Sequence, residues 1–522
     1  MRKAVLRCLL LVGAATMLLA PAQAGAFEWI GQYGLGSPGG GGGQVTTMFG
    51  IAVSPDGTVV ASDIGNQRIN VFAQSGRFLR AFGRDVSTAA GTGAEVCKTD
   101  CKTGSSGTGA GELNSPWGVA AGASEIYVAE TGSNRISAFD YEGHFLRAFG
   151  FNVGGPGVNV CTSSCFTGTS GTAAGQLSNP NGIGLDAAGN LYVSNAGAAR
   201  IDVFDPRTGQ FLRAFGKNVG GPGVNTCTGP CSMGTGDGTP GSVSGSFGIS
   251  AAANGEVFVS EFSGNRVSVF TTGGQFLRLF GSTGSSAGAL VSPYGVAASP
   301  DGLAYVADTS NNRVSVFAAA GTFQRAFGLD VIPGAPASAE VCTIVCQAGI
   351  SGSGIGEFSS PFAVAVDCRG TVYVANLFRI DKFGEPGAAT PPCPLPPPPA
   401  KPSNAFSFGK KQKNKKKGTL SVTIAVPGAG ALSASAGKKL AVKAPQPSAA
   451  GSVTITVKAA GKGVKALRKA GKLKGTLSVT FTPTGGDPAT QTLAIELRKQ
   501  KKGKGKAGKA GKGGKGKGAP GA

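Results

Sequence analysis

Histidine is nearly absent from this chain, and tryptophan and methionine are scarce. The 522 residues include one histidine, two tryptophans and four methionines, and aromatic residues make up 7%. A metal centre built from several histidines is therefore excluded, because His144 is the only histidine. The shortage of large side chains, together with 88 glycines, favours short strands and many turns over long packed helices.

Two signatures of enzymes and a second long apolar run are also missing. No G-x-S-x-G elbow stands between a strand and a helix. "GSPGGGGGQ" (36–44) is rich in glycine but lacks the lysine and helix of a phosphate-binding loop, so we predict a flexible connector. We expect no cofactor, no bound metal and no transmembrane segment, because no run after residue 24 is apolar enough to cross a bilayer.

The first 24 residues have the organisation of a secretory signal peptide. "MRK" and Arg7 form a basic region, "CLLLVGAATMLLA" (8–20) is apolar, and "AQA" (22–24) offers small residues for cleavage. We therefore expect a secreted or surface-associated, soluble protein, present as a monomer.

The net charge of +22 is unevenly distributed. Residues 404–522 carry 24 lysines and two arginines against one aspartate and one glutamate, which leaves the first 403 residues at −2. A basic surface for an anionic partner is therefore predicted only in the last quarter of the chain.

Six copies of one pattern fill most of the chain. They begin at a Gly-Ile/Val-Ala motif or a close variant and occupy residues 49–72, 117–139, 181–204, 247–270, 294–317 and 362–383. Each copy reads as three short strands separated by Gly/Asn/Asp turns. A fourth strand of the type "HFLRAFG" (144–150) follows the first five copies, but the sixth runs into prolines.

Repeated four-stranded antiparallel units are typical of a β-propeller. The sequence predicts an all-β fold with six blades over residues 27–387. The fourth strand of the last blade is assigned to "FEWIGQYG" (27–34), which closes the ring from the N-terminus.

The repeats resemble the NHL family. The resemblance rests on "SPWGV" and "SPYGV", on second strands such as "AYVAD", and on the Asn-Arg-Ile/Val that follows, with "TSNNRVSVF" (309–317) as the best match. It implies a six-bladed propeller of a kind that mostly binds proteins, nucleic acid or sugars and in a few cases is a lyase or another enzyme.

Four of the connections between blades carry about 20 extra residues, and each contains a C-x3-C pair. The repeat-to-repeat spacings measured between equivalent arginines are 67, 65, 66, 47 and 66 residues, so 47 is the bare repeat. In an up-and-down blade these insertions share one face with the loops between strands two and three, and loops on a rigid scaffold commonly carry binding sites.

Disulfides are the favoured interpretation of the C-x3-C pairs in an exported chain, and one helical turn would bring the two cysteines together. The alternative is zinc held by two pairs. The remaining Cys368 and Cys393 would tie blade 6 to the proline-rich linker. The predicted disulfide cysteines are Cys97, Cys101, Cys161, Cys165, Cys227, Cys231, Cys342, Cys346, Cys368 and Cys393.

Six residues at the start of the innermost strands are predicted to ring the channel mouth on the insertion face. They are Phe49, Trp117, Asn181, Phe247, Tyr294 and Phe362. Five are aromatic and are candidates for stacking on sugars or gripping peptide side chains. The alternative is that they pack on one another and on the inserted loops.

The residues that end the second strands form a weaker candidate. They are Asp63, Glu130, Asn195, Glu261, Asp308 and Asn376. An acidic ring for a cation or basic ligand is one interpretation, and pairing with the arginine a few residues later, such as Asp308 with Arg313, is the favoured one.

After the propeller, the sequence predicts a linker (388–417), a small β-sandwich (418–498) and a disordered Lys/Gly tail (499–522). The sandwich rests on alternating runs at 419–426, 452–459, 476–483 and 492–498, and "KALRKAGKLK" (465–474) is expected to form one amphipathic turn. Such a polycation would meet anionic wall or surface polymers, or else act only as a solubilising tail.

Two functions from different classes remain. The favoured one is an exported, non-catalytic binding protein whose insertion face recognises a protein or glycan ligand. The alternative is a lactonase-like or lyase-like metal-dependent enzyme with a site in the channel. RNA binding is disfavoured because the propeller is near neutral.

Overall fold

The computed structural model describes residues 28–384, apart from 90, 92, 336 and 337, and residues 403–500, apart from 429, 444–450, 484 and 485. The chain forms two compact units that divide between residues 399 and 400. The predicted signal peptide (1–24), Cys393 and residues 501–522 of the predicted tail lie outside the described residues.

The first unit contains six antiparallel sheets, called blades 1 to 6 in chain order, and a strand β1 (Glu28–Tyr33) that precedes them. Blade 1 consists of β2 (Gly50–Val53), β3 (Val59–Asp63), β4 (Arg68–Phe72), β5 (Phe78–Arg84) and β6 (Ala94–Cys97). Blade 2 consists of β7 (Pro116–Ala121), β8 (Glu125–Glu130), β9 (Arg135–Asp140), β10 (Phe145–Phe149) and β11 (Val160–Cys161). Blade 3 consists of β12 (Pro180–Leu185), β13 (Leu191–Asn195), β14 (Arg200–Asp205), β15 (Gln210–Phe215) and β16 (Thr226–Cys227).

The other three blades repeat the same order of strands. Blade 4 consists of β17 (Ser246–Ala251), β18 (Glu256–Glu261), β19 (Arg266–Thr271) and β20 (Phe276–Phe280). Blade 5 consists of β21 (Pro293–Ala298), β22 (Leu303–Asp308), β23 (Arg313–Ala318), β24 (Phe323–Leu329) and β25 (Ala339–Cys342). Blade 6 consists of β26 (Ala363–Val366), β27 (Val372–Asn376), β28 (Arg379–Gly384) and, outermost, β1.

The first strands of the blades form the centre of the ring. Each contacts the first strands of both neighbouring blades, and β26 contacts β2, so the ring is closed. Glycine recurs in these strands because the backbones approach closely: a Cβ on Gly118 would lie 2.3 Å from the Asn181 carbonyl oxygen, and one on Gly182 2.0 Å from that of Phe247. The small residues of the repeat motif are therefore required by packing at the centre.

The last blade is completed from the N-terminus, as the sequence predicted. β1 pairs antiparallel with β28, with Glu28 opposite Gly384 and Tyr33 opposite Ile380. The Tyr33 hydroxyl also donates a hydrogen bond to the Gln74 carbonyl oxygen of blade 1, at 2.6 Å. The prediction of an N-terminal closing strand is confirmed.

The arginine of the "FLRAFG" motif joins neighbouring blades. Its guanidinium donates to a backbone carbonyl oxygen in the turn between strands three and four of the next blade. Four such latch arginines and their acceptors are Arg80 with Tyr141, Arg147 with Pro206, Arg213 with Thr272, and Arg278 with Ala319. The recurrence of this arginine in the sequence thus reflects assembly of the ring.

The four long insertions each add a short fifth strand to a blade. These are β6, β11, β16 and β25, which pair with the fourth strand of their own blade and end at the first cysteine of each C-x3-C pair. The residues between the two cysteines form a bend and not the predicted helical turn. A bend suffices because the Cα atoms of each pair need to approach only to 5.2–5.6 Å.

The second unit is a two-sheet sandwich with one helix. One sheet has the order β29 (Ser407–Asn414), β30 (Thr419–Val426), β33 (Gly451–Ala459) and β32 (Leu440–Lys443). The other has the order β31 (Gly430–Ser435), β34 (Lys472–Pro483) and β35 (Ala489–Arg498), and helix α1 (Lys462–Ala470) connects β33 to β34. Alternating apolar residues of β30 and β34, such as Val422 and Val479, form the core.

Two sequence-based expectations are corrected here. Residues 407–414 belong to strand β29 of the sandwich and not to the linker. The alternation of apolar residues did not reveal this strand, because it lies at the sheet edge with nearly every side chain exposed. The helix at 462–470 is also longer than the single turn that was expected.

Candidate functional site

The inserted loops and the loops between strands two and three share one face of the ring, called the insertion face. Backbone hydrogen bonds join the two sets directly, for example from Gly168 N to Ser133 O and from Gly349 N to Asn311 O, both at 2.8 Å. The chain reaches each first strand through an eight-residue approach segment on this face. The approach segments are residues 39–46, 107–114, 171–178, 237–244, 284–291 and 352–359.

An arginine at the start of the third strand, fully buried in four blades and slightly exposed in blades 4 and 6, organises this face in every blade. These hub arginines are Arg68, Arg135, Arg200, Arg266, Arg313 and Arg379. In blade 5, Arg313 donates to the carbonyl oxygens of Ser285, Ser286 and Ala289 in the approach segment, at 2.6–3.1 Å. In the other five blades, the same three positions of the approach segment accept hydrogen bonds from the hub arginine. In blade 4 the third acceptor is the side-chain hydroxyl of Ser242 and not a carbonyl oxygen.

The hub arginine also fixes the cysteine loop wherever a blade has one. The residue after the second cysteine offers its carbonyl oxygen to the guanidinium. These acceptors are Lys102, Phe166, Ser232 and Gln347, at 2.9–3.3 Å. One cation thus ties two loops of the insertion face to the body of the blade.

The Gly-rich segment at 36–44 is part of this system, which corrects the expectation of a flexible connector. Arg68 donates to the carbonyl oxygens of Gly40, Gly41 and Gln44, and the Asn66 amide donates to that of Gly39 at 2.8 Å. Residues 39–44 of this segment belong to the approach segment of blade 1. Its sequence hides this role because five glycines replace the more varied residues of the other blades.

The second-strand residues pair with the hub arginines and do not form an open acidic ring. Glu130 and Asp308 are fully buried and accept from Arg135 and Arg313 at 2.8 Å. Burial raises the pKa of the Asp308 carboxyl, and the neighbouring guanidinium opposes that rise. The favoured sequence interpretation therefore describes this site.

Blades 3 and 6 achieve the same pairing with the carboxylate moved to the third strand. Asn195 and Asn376 end their second strands, and the arginines there pair with Asp202 and Asp381, at 3.0 and 2.8 Å. The other blades place Asn70, Ser137, Ser268 and Ser315 at the positions of Asp202 and Asp381. Each blade therefore holds one carboxylate beside its hub arginine, either at the end of the second strand or in the third strand. The sequence shows this alternation only when these two positions are compared together.

Asparagine precedes three of the six hub arginines, and its conformation there explains the Asn-Arg motif. Asn134, Asn265 and Asn312 have φ values of 45–51°, a left-handed conformation that asparagine tolerates better than most residues. The side-chain oxygens of Asn265 and Asn312 accept backbone N–H groups of Ser292 and Ser360 in the next blade, at 2.8 and 2.9 Å.

The predicted channel-mouth ring is assembled as a stack of aromatic side chains. The rings of Phe49 and Trp117 lie 4.3 Å apart at an interplanar angle of 12°, and those of Phe247 and Tyr294 lie 4.3 Å apart at 15°. The two pairs are nearly parallel to one another, with Phe49 and Tyr294 5.5 Å apart at 19°. These geometries are typical of attractive offset stacking.

The rest of the ring encloses this stack. Phe362 packs edge-on against Phe49 at 4.9 Å, and Phe262, which the sequence interpretation did not include, packs edge-on against Phe247 at 5.3 Å. Asn181 is buried. The aromatic members pack on one another, as the alternative interpretation stated, while Phe49, Trp117, Phe247 and Phe362 stay half-buried. Trp117 buries its indole N–H with no hydrogen-bond partner among the described residues.

Behind the stack, the channel widens into a cavity of about 230 Å³. Its lining comes from the first strands of all six blades, and among the described residues it is aliphatic apart from Gly184 and Ser250. The Ser250 hydroxyl accepts a hydrogen bond from Ala298 N at 3.0 Å. Aliphatic side chains supply neither metal ligands nor proton-transfer groups.

The cysteine loops expose apolar side chains at their tips. Phe166 follows Cys165 and is 54% exposed, and Met233 is 55% exposed two residues after Cys231. Within the last loop, between Cys342 and Cys346, Ile344 is 81% and Val345 65% exposed. Each loop otherwise has a small core of its two cysteines with an alanine of the fourth strand and a valine.

The cysteines and the histidine occupy defined places. The four C-x3-C pairs are disulfide-bonded, and Cys368, in the turn between β26 and β27, is also disulfide-bonded. His144 lies in the turn before β10, and its Nδ1 is 2.9 Å from a carboxylate oxygen of Asp140. Within the described ranges, no cluster of three or more His, Cys, Asp or Glu side chains lies close enough to hold a metal ion. Nor is any helix there long and apolar enough to span a bilayer.

The chain was compared with families and known proteins. Residues 290–317 match the NHL repeat family. No curated protein shows a significant match to the chain.

Among solved structures, virginiamycin B lyase from Staphylococcus aureus is similar to this chain at 14% identity, over 66% of this chain and 97% of that one, with a TM-score of 0.38. The WD40 β-propeller domain of Doa1 is similar at 8% identity over 70% and 98%, with a TM-score of 0.38. A putative gluconolactonase is similar at 10% identity over 69% and 98%, also with a TM-score of 0.38.

The matched residues 290–317 begin at the end of the approach segment and cover β21, β22 and all but the last residue of β23, the part of blade 5 that contains Asp308 and Arg313. The same strand order recurs in all six sheets around the ring. A ring of this kind is a scaffold for a binding or an enzymatic site. The chain is therefore a β-propeller protein in which residues 290–317 match the NHL repeat.

Proposed function

We propose that this protein is an exported, non-catalytic binding protein that recognises a protein ligand through the loops of its insertion face. The basic sandwich at the C-terminus would associate with anionic surface polymers. The four loop disulfides are consistent with an oxidising compartment outside the cytoplasm.

The observation that carries this proposal is the exposure of large apolar side chains on loops that are held in place. Phe166, Ile344 and Val345 remain in water although the loops that bear them are fixed by a disulfide and a hub arginine. Ile344 and Val345 are neighbours in the chain, and adjoining exposed apolar side chains on an ordered loop are typical of interaction sites. Aliphatic tips such as Ile344 suit an apolar protein surface, whereas a glycan would use the aromatic stack.

The non-catalytic part of the proposal is supported by the lining of the channel. A lactonase-like or lyase-like enzyme would need carboxylate, amide or imidazole groups there, and aliphatic side chains line it. His144 lies in the turn between the third and fourth strands of blade 2, pairs with Asp140, and is not part of the cavity lining. Calcium titration followed by thermal melting tests this part: we expect no shift in Tm, whereas a large shift would support the enzyme.

Capture experiments with the full-length chain test the binding site. The chain is cross-linked to secreted and surface proteins and, in parallel, applied to a glycan array. We expect Ile344→Ser/Val345→Ser to lose most of the protein captured by the parent. The matched control is Lys98→Ser/Thr99→Ser, which changes two exposed residues of the first cysteine loop and should capture as the parent does.

Trp117→Ala/Tyr294→Ala separates the loop tips from the aromatic stack. If the chain binds a glycan of the array, and only this variant loses that binding, the ligand is a sugar that stacks on the aromatic rings. Capture that is undiminished in both double variants would contradict recognition by the insertion face.

A further inference from the structure

Twelve of the eighteen lysines and arginines in the described residues of the C-terminal sandwich lie at one end of it. This basic end consists of the turn between β29 and β30, the connection from β31 to β32, helix α1, and the start of β34 beside the end of β35. Its twelve cationic residues are Lys415, Lys416, Lys417, Lys438, Lys439, Lys462, Lys465, Arg468, Lys469, Lys472, Arg498 and Lys499. All are exposed except Lys499, which is half-buried.

Backbone hydrogen bonds hold these segments side by side. Gln500 N donates to Lys415 O at 3.0 Å, and Lys499 N donates to Gly471 O at 2.9 Å, which joins the β29–β30 turn, the end of β35 and the end of the helix. Ala460 N donates to Lys439 O at 2.9 Å, which brings the β31–β32 connection to the start of the helix. The concentration of positive charge is therefore a property of the fold and not of one run of sequence.

The opposite end of the sandwich is almost uncharged. Among the described residues there, Asp487 is the charged one, and the side-chain amide of Asn404 donates to its carbonyl oxygen at 3.2 Å. The Gln491 amide donates to Phe406 O at 2.6 Å. The chain therefore enters the sandwich at the uncharged end, while β35 runs to the basic end and leads there into the lysines of residues 501–517.

The composition of the basic end restricts the kind of anion it suits. Ten of the twelve cations are lysines, which act as point charges without the planar, two-pronged geometry of arginine. The aromatic residues of this unit, Phe406, Phe408 and Phe481, belong to its core, so no ring is offered for stacking on bases or sugars. Affinity must then come mainly from release of counterions, which requires a polymer with closely spaced charges.

We propose that the basic end binds the backbone of a phosphodiester polymer of the cell surface, such as a polyol phosphate chain, by its charge alone. This rests on the proposed function of the sandwich and assigns it a place and a ligand chemistry.

The test compares the full-length protein with two charge-matched variants, using poly(glycerol phosphate) as probe over a range of salt concentrations. Lys415→Gln/Lys416→Gln/Lys417→Gln removes three cations of the basic end. Lys501→Gln/Lys502→Gln/Lys504→Gln removes three from the following segment. We expect the first variant to lower the slope of log K against log salt by about 2 and to weaken binding roughly tenfold at low salt. The second variant should lose less than half as much.

Each other outcome has a defined meaning. Equal losses in the two variants, with Tm unchanged, would overturn the basic end as a site and leave only diffuse attraction by the chain. No binding by the parent at low salt would instead overturn the proposed association with anionic polymers.

Single-stranded DNA with the same number of phosphates should bind no more tightly than the probe, and a tenfold preference for DNA would reassign the ligand to nucleic acid. Equal binding of hyaluronan, which has one carboxylate per disaccharide, would overturn the requirement for closely spaced charge.

Discussion

The propeller contains two series of arginines that recur along the sequence in the same way but have different structural roles. The hub arginines begin the third strands, are almost wholly buried, and each satisfies three or four loop acceptors beside a buried carboxylate. The latch arginines lie in the fourth strands, are half-buried, and each donate to one carbonyl oxygen of the next blade. Within their own blades, Arg147 also pairs with Glu125 and Arg278 with Glu256. The difference shows that one series fixes the binding loops while the other joins the blades.

Removing a hub arginine should have the largest effect. In Arg313→Met, Asp308 stays buried without its cation and four carbonyl oxygens lose their donor, so we expect a loss of about 3–5 kcal/mol in the free energy of unfolding. Arg80→Met in the latch series should cost only about 1 kcal/mol. Denaturant unfolding of both variants measures the difference, and equal losses would contradict the distinction between the series.

The position of the carboxylate beside the hub arginine differs between blades, and this difference allows a sharper comparison within the hub series. Asp202→Asn leaves Arg200 buried without a counter-charge and should cost about 3 kcal/mol. Asn195→Asp adds a second carboxylate within reach of Asp202 and should also destabilise. The double variant reproduces the Asp63 and Asn70 arrangement of blade 1, so its stability should return to within about 1 kcal/mol of the parent. Additive losses in this double-mutant cycle would show that the two positions are not interchangeable.

A smaller effect is expected where β1 closes the ring. Burial raises the pKa of Tyr33 to about 12. Because the folded pKa lies above the unfolded value of 10, folding favours the neutral phenol: this contribution is complete below pH 10 and is lost as the pH rises through 12. The loss should approach about 3 kcal/mol when the pH is well above 12. Tyr33→Phe should cost about 1 kcal/mol at pH 7 and reduce the decline above pH 10.

Urea unfolding at pH 7, 9.5 and 11 gives this comparison. Part of the alkaline decline should persist in Tyr33→Phe, because burial also raises the pKa of Tyr127, Tyr192 and Tyr373. An identical decline in the two proteins would mean that Tyr33 does not contribute.

Much of the propeller could be predicted from the sequence because its repeats carry the same packing constraints six times. The glycines of the first strand, the Asn-Arg pair and the N-terminal strand "FEWIGQY" each reflect a steric or hydrogen-bonding need that recurs around the ring. What escaped prediction depends on partners distant in sequence. The role of the segment 36–44 appears only with Arg68 beside it, and Phe262 joins the stack through a neighbouring loop.

The sandwich was predicted less completely for a different reason. Strands with one buried face, such as β30 and β34, alternate apolar and polar residues and were found. Strand β29 has almost no buried side chain, and β31 and β32 are short and built mainly of small residues, so periodicity gives little signal. The clustering of cations at one end likewise requires the topology, since its members are spread over 85 positions of the chain.

The most direct test of the account uses blade 4, where one arginine of each series is partly exposed and can be replaced without unfolding the ring. Hydrogen exchange is compared for two double variants, Arg266→Gln/Glu261→Gln and Arg278→Gln/Glu256→Gln. In each, the paired glutamate is also replaced so that the net charge is unchanged. We predict faster exchange in residues 237–244 for the first variant only, and around residues 318–322 for the second only. Faster exchange in the same segments in both variants, or in neither, would contradict the claim that the hub arginines hold the binding loops while the latch arginines join the blades.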